Sequence, residues 1–228
     1  MQNLSTYNKN KSFKLNLKQS RVKKSIKLIE SLPGKGTLLD IGCSTGEWAF
    51  FWQNKGWFSY GIDVNEQHVF EACQKGILAK VCDLNSEPIP FEDNFFDVIF
   101  AGEVIEHLID TDTFIGEIYR CLKKGGHLLI TTPNLISFEN RLRILLGIYP
   151  IWVDYHLGGE GHVRAYTPGV LKNQLRAFGF KIIKHTGNWV PFVPQRILND
   201  LQCPWLSITG GLFPNLSMDI IILALKTH

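Results

Sequence analysis

Glu103, Glu106 and His107 fall at positions i, i+3 and i+4 in the run Glu103-Val104-Ile105-Glu106-His107-Leu108. On a helical turn that spacing brings two carboxylates and an imidazole to one face. Such a face can hold a divalent cation, with His162 of Gly161-His162-Val163-Arg164-Ala165-Tyr166-Thr167 as a fourth ligand. Two carboxylates and no thiolate put magnesium or manganese ahead of zinc. Without a metal, the same residues suit proton transfer. His107 or His162 then takes a proton from an acceptor or orients it.

A second constellation opens with Leu38-Leu39-Asp40-Ile41-Gly42-Cys43-Ser44-Thr45-Gly46. An apolar strand runs into a glycine turn at the start of a helix, where backbone N–H groups can approach a ligand with no Cβ in the way. The dinucleotide fingerprint G-x-G-x-x-G needs glycine at positions 44 and 47, and this chain has Ser44 and Glu47. A carboxylate at the helix start repels a pyrophosphate but tolerates a sulfonium and an amino group, so the pattern favours S-adenosylmethionine over NAD. Asp63, 21 positions after Gly42, ends the next strand, where a carboxylate can accept from both ribose hydroxyls. Its plainer alternative is a helix N-cap. Asp83 follows the third strand and can accept from an adenine amino group while the N–H of Leu84 meets a ring nitrogen. Asp40, Asp63 and Asp83 thus fall at the carboxyl ends of successive strands, the ligand-binding edge of an open α/β sheet.

The elements that must position these residues alternate along the chain. A helix over 22–32 stops at Pro33-Gly34, and strands follow at 37–41, 58–63, 77–81 and 96–100, with helices at 47–55, 65–74 and 112–122. Lys124-Gly125-Gly126 turns into a strand over 127–132, and a short helix is expected at 139–146. Thr167 caps a helix running to Ala177, and strands at 180–185 and 218–226 complete the set. Short continuous apolar strands of this kind belong to a doubly wound parallel sheet covered on both faces. Residues 1–20 form a basic, flexible N-terminus, and 21–228 form one domain with loop-rich insertions at about 134–165 and 187–214. Those insertions carry aromatic residues and prolines suited to an acceptor pocket, a membrane-surface contact or a packed cap.

Hydrophobic residues make up 45% of the 228, and charged residues 20%, with a net charge of +3, which excludes a disordered or fibrous class. The longest apolar run, around Ile220–Leu225, is far short of the ~20 residues of a membrane span. The Asn-, Lys- and Ser-rich start lacks the apolar core of a secretory signal, so a cytoplasmic location is expected. Five cysteines with no C-x-x-C pair are read as reduced thiols. The lysines and arginines crowded into the first 27 residues can meet a polyanion or form a solvated face.

Leu38–Gly46, Tyr60-Gly61-Ile62-Asp63, Phe96-Asp97-Val98-Ile99 and Leu122-Lys123-Lys124-Gly125-Gly126-His127-Leu128 together resemble the ordered motifs of class I S-adenosylmethionine-dependent methyltransferases. The resemblance covers roughly residues 22–185 and the last strand. It implies a Rossmann-like seven-stranded sheet of order 3-2-1-4-5-7-6 with strand 7 antiparallel. It also implies that Gly42, Cys43, Gly46, Asp63, Asp83 and the backbone from Ala101 to Glu103 line the cofactor, with Asp40, Val64, Cys82 and Leu84 beside them. Cys43 is then a small buried residue and not a nucleophile.

The E-x-x-E-H string with a distant histidine resembles the metal site of small-RNA 2′-O-methyltransferases, and E-x-x-E-H also resembles ubiquinone-pathway O-methyltransferases. Glu103, Glu106, His107 and His162 are the matching positions. Related methyltransferases of saccharide and secondary metabolism share these strings without an established metal. The expected activity is O-methylation of a small molecule or saccharide. An RNA 2′-O-methyltransferase is the alternative, without a recognisable RNA-binding appendage. A non-catalytic cofactor-binding protein is the third reading.

Overall fold

The apolar runs assemble into one seven-stranded sheet in the computed structural model, which describes residues 15–154, 161–191 and 204–228, with the side chains of 204–207 outside that description. Lys9, Lys11 and Lys14 of the basic N-terminus, together with Pro194 and Cys203, lie outside the described residues. In chain order the elements are α1 (Ser20–Glu30), β1 (Thr37–Ile41), α2 (Glu47–Gln53), β2 (Phe58–Asp63), α3 (Glu66–Gln74), β3 (Leu78–Val81) and β4 (Phe96–Gly102). A 3₁₀ turn (Ile105–His107) precedes α4 (Thr111–Cys121), β5 (Leu122–Pro133), α5 (Phe138–Leu145), α6 (Pro168–Ala177), β6 (Phe180–Gly187), α7 (Pro204–Leu212) and β7 (Asp219–Lys226).

The strand order is β3-β2-β1-β4-β5-β7-β6, as the motifs imply. β1 pairs in parallel with β2 and β4, and β7 runs antiparallel between β5 and β6, with Ile130 opposite Ile222. The alternation of side chains along each strand explains the continuous apolar runs. Leu39, Ile41, Ile99 and Leu128 pack with Phe114 and Ile115 of α4 and Leu171 and Leu175 of α6. Their neighbours Leu38, Val98 and Leu129 face the other way, onto Val22 and Ile29 of α1 and Trp48 and Trp52 of α2. Both faces of the central strands are therefore buried.

Two expectations need correcting. The 187–214 insertion, read as loop, contains the helix α7. Its Gly210-Gly211 pair disguises it, since interior glycine costs a helix about 1 kcal/mol. The reason is contact: a Cβ on Gly210 would lie 2.5 Å from the Gly187 carbonyl oxygen, so only glycine lets α7 lie against the end of β6. The second correction concerns the turn after β4. Only Ile105–His107 is helical, and Glu103 sits outside it in the left-handed region with φ of 58°. A left-handed residue cannot continue a helix, so the i, i+3, i+4 face is not formed.

Candidate active site

The glycine turn after β1 is built from three residues with positive φ: Gly42 (71°), Ser44 (47°) and Gly46 (79°). A Cβ on Gly46 would stand 2.9 Å from the Ala72 Cβ of α3, so that position admits no side chain. The turn is tied to β2, because the N–H groups of Gly42 and Cys43 both donate to the Ile62 carbonyl, at 2.9 and 3.0 Å. Asp63 completes the link. One of its carboxylate oxygens accepts from the Ser44 N–H at 2.8 Å and the other from the Asn65 N–H at 2.9 Å. Its carbonyl accepts from the Cys82 N–H at 3.0 Å, joining the third strand end to the same edge. The turn, Asp63 and the Cys82-Asp83 segment therefore meet at one end of the sheet. The helix N-cap of α3 is Asn65, whose side chain accepts from His68 N–H, so the simple capping role for Asp63 falls away.

The remaining cofactor candidates occupy graded positions around this edge. Asp40 is 3% exposed, and burial and then the neighbouring Asp63 push its carboxyl well above the usual range. A hydrogen bond with the backbone of Ala49 in α2 opposes that shift. Cys43 is buried, its thiol pushed far up by burial and by the nearby Asp40 and Asp63, which fits an inert packing residue. Cys82 is also buried, with its thiol raised to about 11 by burial. Asp83 organises its own loop, its side chain accepting from Asn85 N–H at 3.0 Å, while Leu84 packs on the core and Val64 is exposed. Ala101 is fully buried at the end of β4. The four described cysteines, at 43, 73, 82 and 121, are free thiols.

The second constellation gathers without Glu103. Glu106, His107 and His162 each bring a ligand-capable atom to within 4.8 Å of the others, and the two imidazole rings lie 4.8 Å apart. Glu106 is only 2% exposed, and Thr132 donates its hydroxyl to one carboxylate oxygen at 2.9 Å. The other oxygen, Oε1, is buried with no hydrogen-bond partner among the described residues. An orphaned buried carboxylate oxygen is costly unless something else satisfies it. Burial first, then the charge of Glu103, pushes the Glu106 carboxyl well above the usual carboxylate range. A cavity of about 10 Å³, lined in part by Glu106, Thr132, Trp152 and His162, opens beside it.

Both imidazoles are oriented by backbone carbonyls. Nδ1 of His107 lies 3.0 Å from the Gly161 oxygen and Nδ1 of His162 lies 3.0 Å from the Trp152 oxygen. A carbonyl can only accept, so each Nδ1 carries a hydrogen, and in the neutral ring Nε2 then holds the lone pair. Burial lowers the His107 pKa below its ordinary value, with the Gly161 contact opposing and His162 reinforcing, which favours the neutral base. The Glu106 carbonyl in turn accepts from the N–H groups of Val163 and Arg164, binding the 3₁₀ turn to the His162 loop.

Glu103 turns the other way, into an ion pair with Arg21 of α1 at 2.7 Å. Arg21 and its further partner Asp219, 3.7 Å away, escape sequence reasoning. Arg21 reads there as one more member of a basic cluster, and no local spacing links it to strand ends so distant in the chain. A larger cavity, about 830 Å³, lies elsewhere, along β3 between Tyr60, Leu78 and Phe91, and touches none of the candidate residues.

Residues 16–185 match the methyltransferase domain family, three quarters of the chain. The chain belongs to the class I S-adenosylmethionine-dependent methyltransferases. It is 35% identical over 129 residues to the mitochondrial ubiquinone biosynthesis O-methyltransferase of Homo sapiens, a match covering 51% of this chain and 34% of that protein. It is 29% identical over 138 residues to the malonyl-[acyl-carrier protein] O-methyltransferase of Serratia marcescens, covering 60% and 50% respectively. The chain thus spans no more than half the length of these curated relatives. A solved S-adenosylmethionine-dependent methyltransferase from Archaeoglobus fulgidus superposes with a TM-score of 0.63 at 20% identity, over 90% of this chain and 92% of that one, which shows the shared fold. Among the described residues, no helix is long and apolar enough to cross a membrane.

Proposed function

We propose that this chain transfers the methyl group of S-adenosylmethionine to an oxygen of a small-molecule or saccharide acceptor. Cofactor binding by the strand-end edge rests on the hydrogen-bonded union of the Gly42–Gly46 turn, Asp63 and the Cys82-Asp83 segment. In-line displacement from a sulfonium needs position and a competent nucleophile more than acid catalysis of the leaving group. The observation that carries the acceptor half is Glu106 Oε1, buried and without a hydrogen-bond partner among the described residues, beside two imidazoles whose Nδ1 atoms are held by backbone carbonyls. Neutral His107 can take the acceptor hydroxyl proton at Nε2, and His162 can orient the same hydroxyl. The O-methyltransferase activity named for both curated relatives supports oxygen as the acceptor atom.

The same three residues fit a divalent cation, with Glu106 Oε1 and the two Nε2 atoms as donors. One carboxylate and two imidazoles suit manganese or zinc better than magnesium, a donor set changed by the diversion of Glu103 to Arg21. When bound, such a cation supplies Lewis acidity that lowers the pKa of a coordinated hydroxyl. The test is a chelated protein saturated with adenosylhomocysteine and titrated with manganese, zinc and magnesium while thermal unfolding is followed. Stabilisation by manganese or zinc, absent in Glu106→Gln, supports the cation. A flat response in wild type, with activity surviving chelation and lost in His107→Ala, supports the histidine base alone.

A further inference from the structure

The helix α5 presents its side chains in the reverse of the usual order. A helix on the surface of a folded domain buries an apolar stripe and leaves polar residues outside. In α5 the buried residue is Asn140, whose amide donates to the Ile151 carbonyl at 3.2 Å and accepts from the Ile151 N–H at 2.8 Å. The leucines and isoleucines point outward. Leu142, Ile144, Leu145, Leu146, Ile148 and Tyr149 are 45–80% exposed, with Leu145 the most open at 80%. Six large apolar side chains exposed within eight positions form a patch that a water-facing surface does not retain by chance.

A second apolar segment adjoins it. Residues 204–218 contain no charged side chain, and Ile208, Leu212 and Phe213 are 50–69% exposed. The two segments are bound together, since Phe138 N–H donates to the Leu216 carbonyl at 2.9 Å and the Asn134 amide donates to the Asn215 carbonyl at 3.1 Å. The patch is edged by Arg141 and Arg143 and by Tyr149 and Trp152, rings that carry an apolar body and a polar tip. It runs up to the candidate site, because the Trp152 carbonyl is the group that orients His162.

We infer that this face, formed by α5, its following turn and the end of α7, seats on an anionic lipid surface. Leucine and isoleucine side chains enter the acyl boundary, the aromatic rings sit at headgroup level and the Arg141 guanidinium meets lipid phosphate. Charge complementarity selects this occupant over a second copy of the chain. A two-fold contact would set each α5 against the same segment of its partner. From Phe138 to Val153 the sole acid is Glu139, already paired with Arg143 at 3.2 Å, so a facing copy offers Arg141 no carboxylate. The inference is independent of the methyl-transfer reading.

Cosedimentation of the full chain with vesicles tests it, using phosphatidylcholine alone or with phosphatidylglycerol added. Binding is expected to the anionic vesicles, several-fold stronger than to the neutral ones and falling as salt is raised. The double variant Leu145→Asp, Leu146→Asp is expected to lose at least tenfold in vesicle affinity with an unchanged thermal melt, since both side chains are exposed. Arg141→Gln should keep the fold and lose the preference for anionic lipid. Absence of binding to either vesicle overturns the inference. So does a dimer in solution that the double aspartate variant dissociates, which would give the face to a second copy.

Discussion

Arg21 of α1 donates to Glu103 at 2.7 Å, and the same carboxylate oxygen accepts from the Thr131 hydroxyl at 2.8 Å. The pair ties the N-terminal helix to the ends of β4 and β5. Burial works against the Arg21 charge, but Glu103, Asp219 and Glu106 outweigh it and hold the guanidinium firmly protonated. Replacing it with an apolar residue leaves carboxylates facing each other without a counter-ion. Arg21→Met is expected to destabilise the fold by about 1–3 kcal/mol, less than a fully buried pair because both side chains keep some solvent contact. Urea unfolding measures it, and Glu103→Gln in the Arg21→Met background should restore part of the loss.

The ribose contact proposed for Asp63 is open to calorimetry with adenosylhomocysteine. Asp63→Ala is expected to weaken binding by about 1–3 kcal/mol, roughly fivefold to 150-fold. Because Asp63 also accepts from Ser44 and Asn65, part of that loss is structural. Asp63→Asn separates the two, since its amide oxygen can still accept one backbone bond. Unchanged affinity in both variants would place the ribose elsewhere.

Gly46 carries a strict steric requirement. Gly46→Ala combines a left-handed φ of 79° with a Cβ 2.9 Å from Ala72, so a loss of about 1–3 kcal/mol in thermal or urea unfolding is expected. Gly34, also left-handed but with open space around its Cβ position, should lose less on the same change.

Stability should depend on pH through Asp219. Burial, then Glu103, raises its pKa from 3.8 to about 7, with Arg21 opposing. Between these values the folded state holds a proton that the unfolded chain has released, so stability falls as pH rises from about 4 to about 7 and levels off above. Asp219→Asn keeps an acceptor for the Asn188 amide, which Asp219 meets at 2.6 Å, and removes this titration. The difference in melting temperature between wild type and variant should therefore change across that window and be constant above about pH 8.

The order of the strands and of every helix but α7, the glycine turn and the acids at strand ends were legible in the chain. Each depends on neighbours within a few residues: alternation that buries both strand faces, a Cβ excluded from a tight turn, a carboxylate closing a strand. The division of labour among Glu103, Glu106, His107 and His162 was not. Spacing alone puts Glu103 and Glu106 on one face, but a left-handed φ at Glu103 breaks the turn and sends that side chain to Arg21. Only the packing of α1 on the face of the sheet brings Arg21 there, and only the Gly161 and Trp152 carbonyls fix which imidazole nitrogens carry the hydrogen bonds. Such contacts join residues far apart in sequence, and no local pattern encodes them.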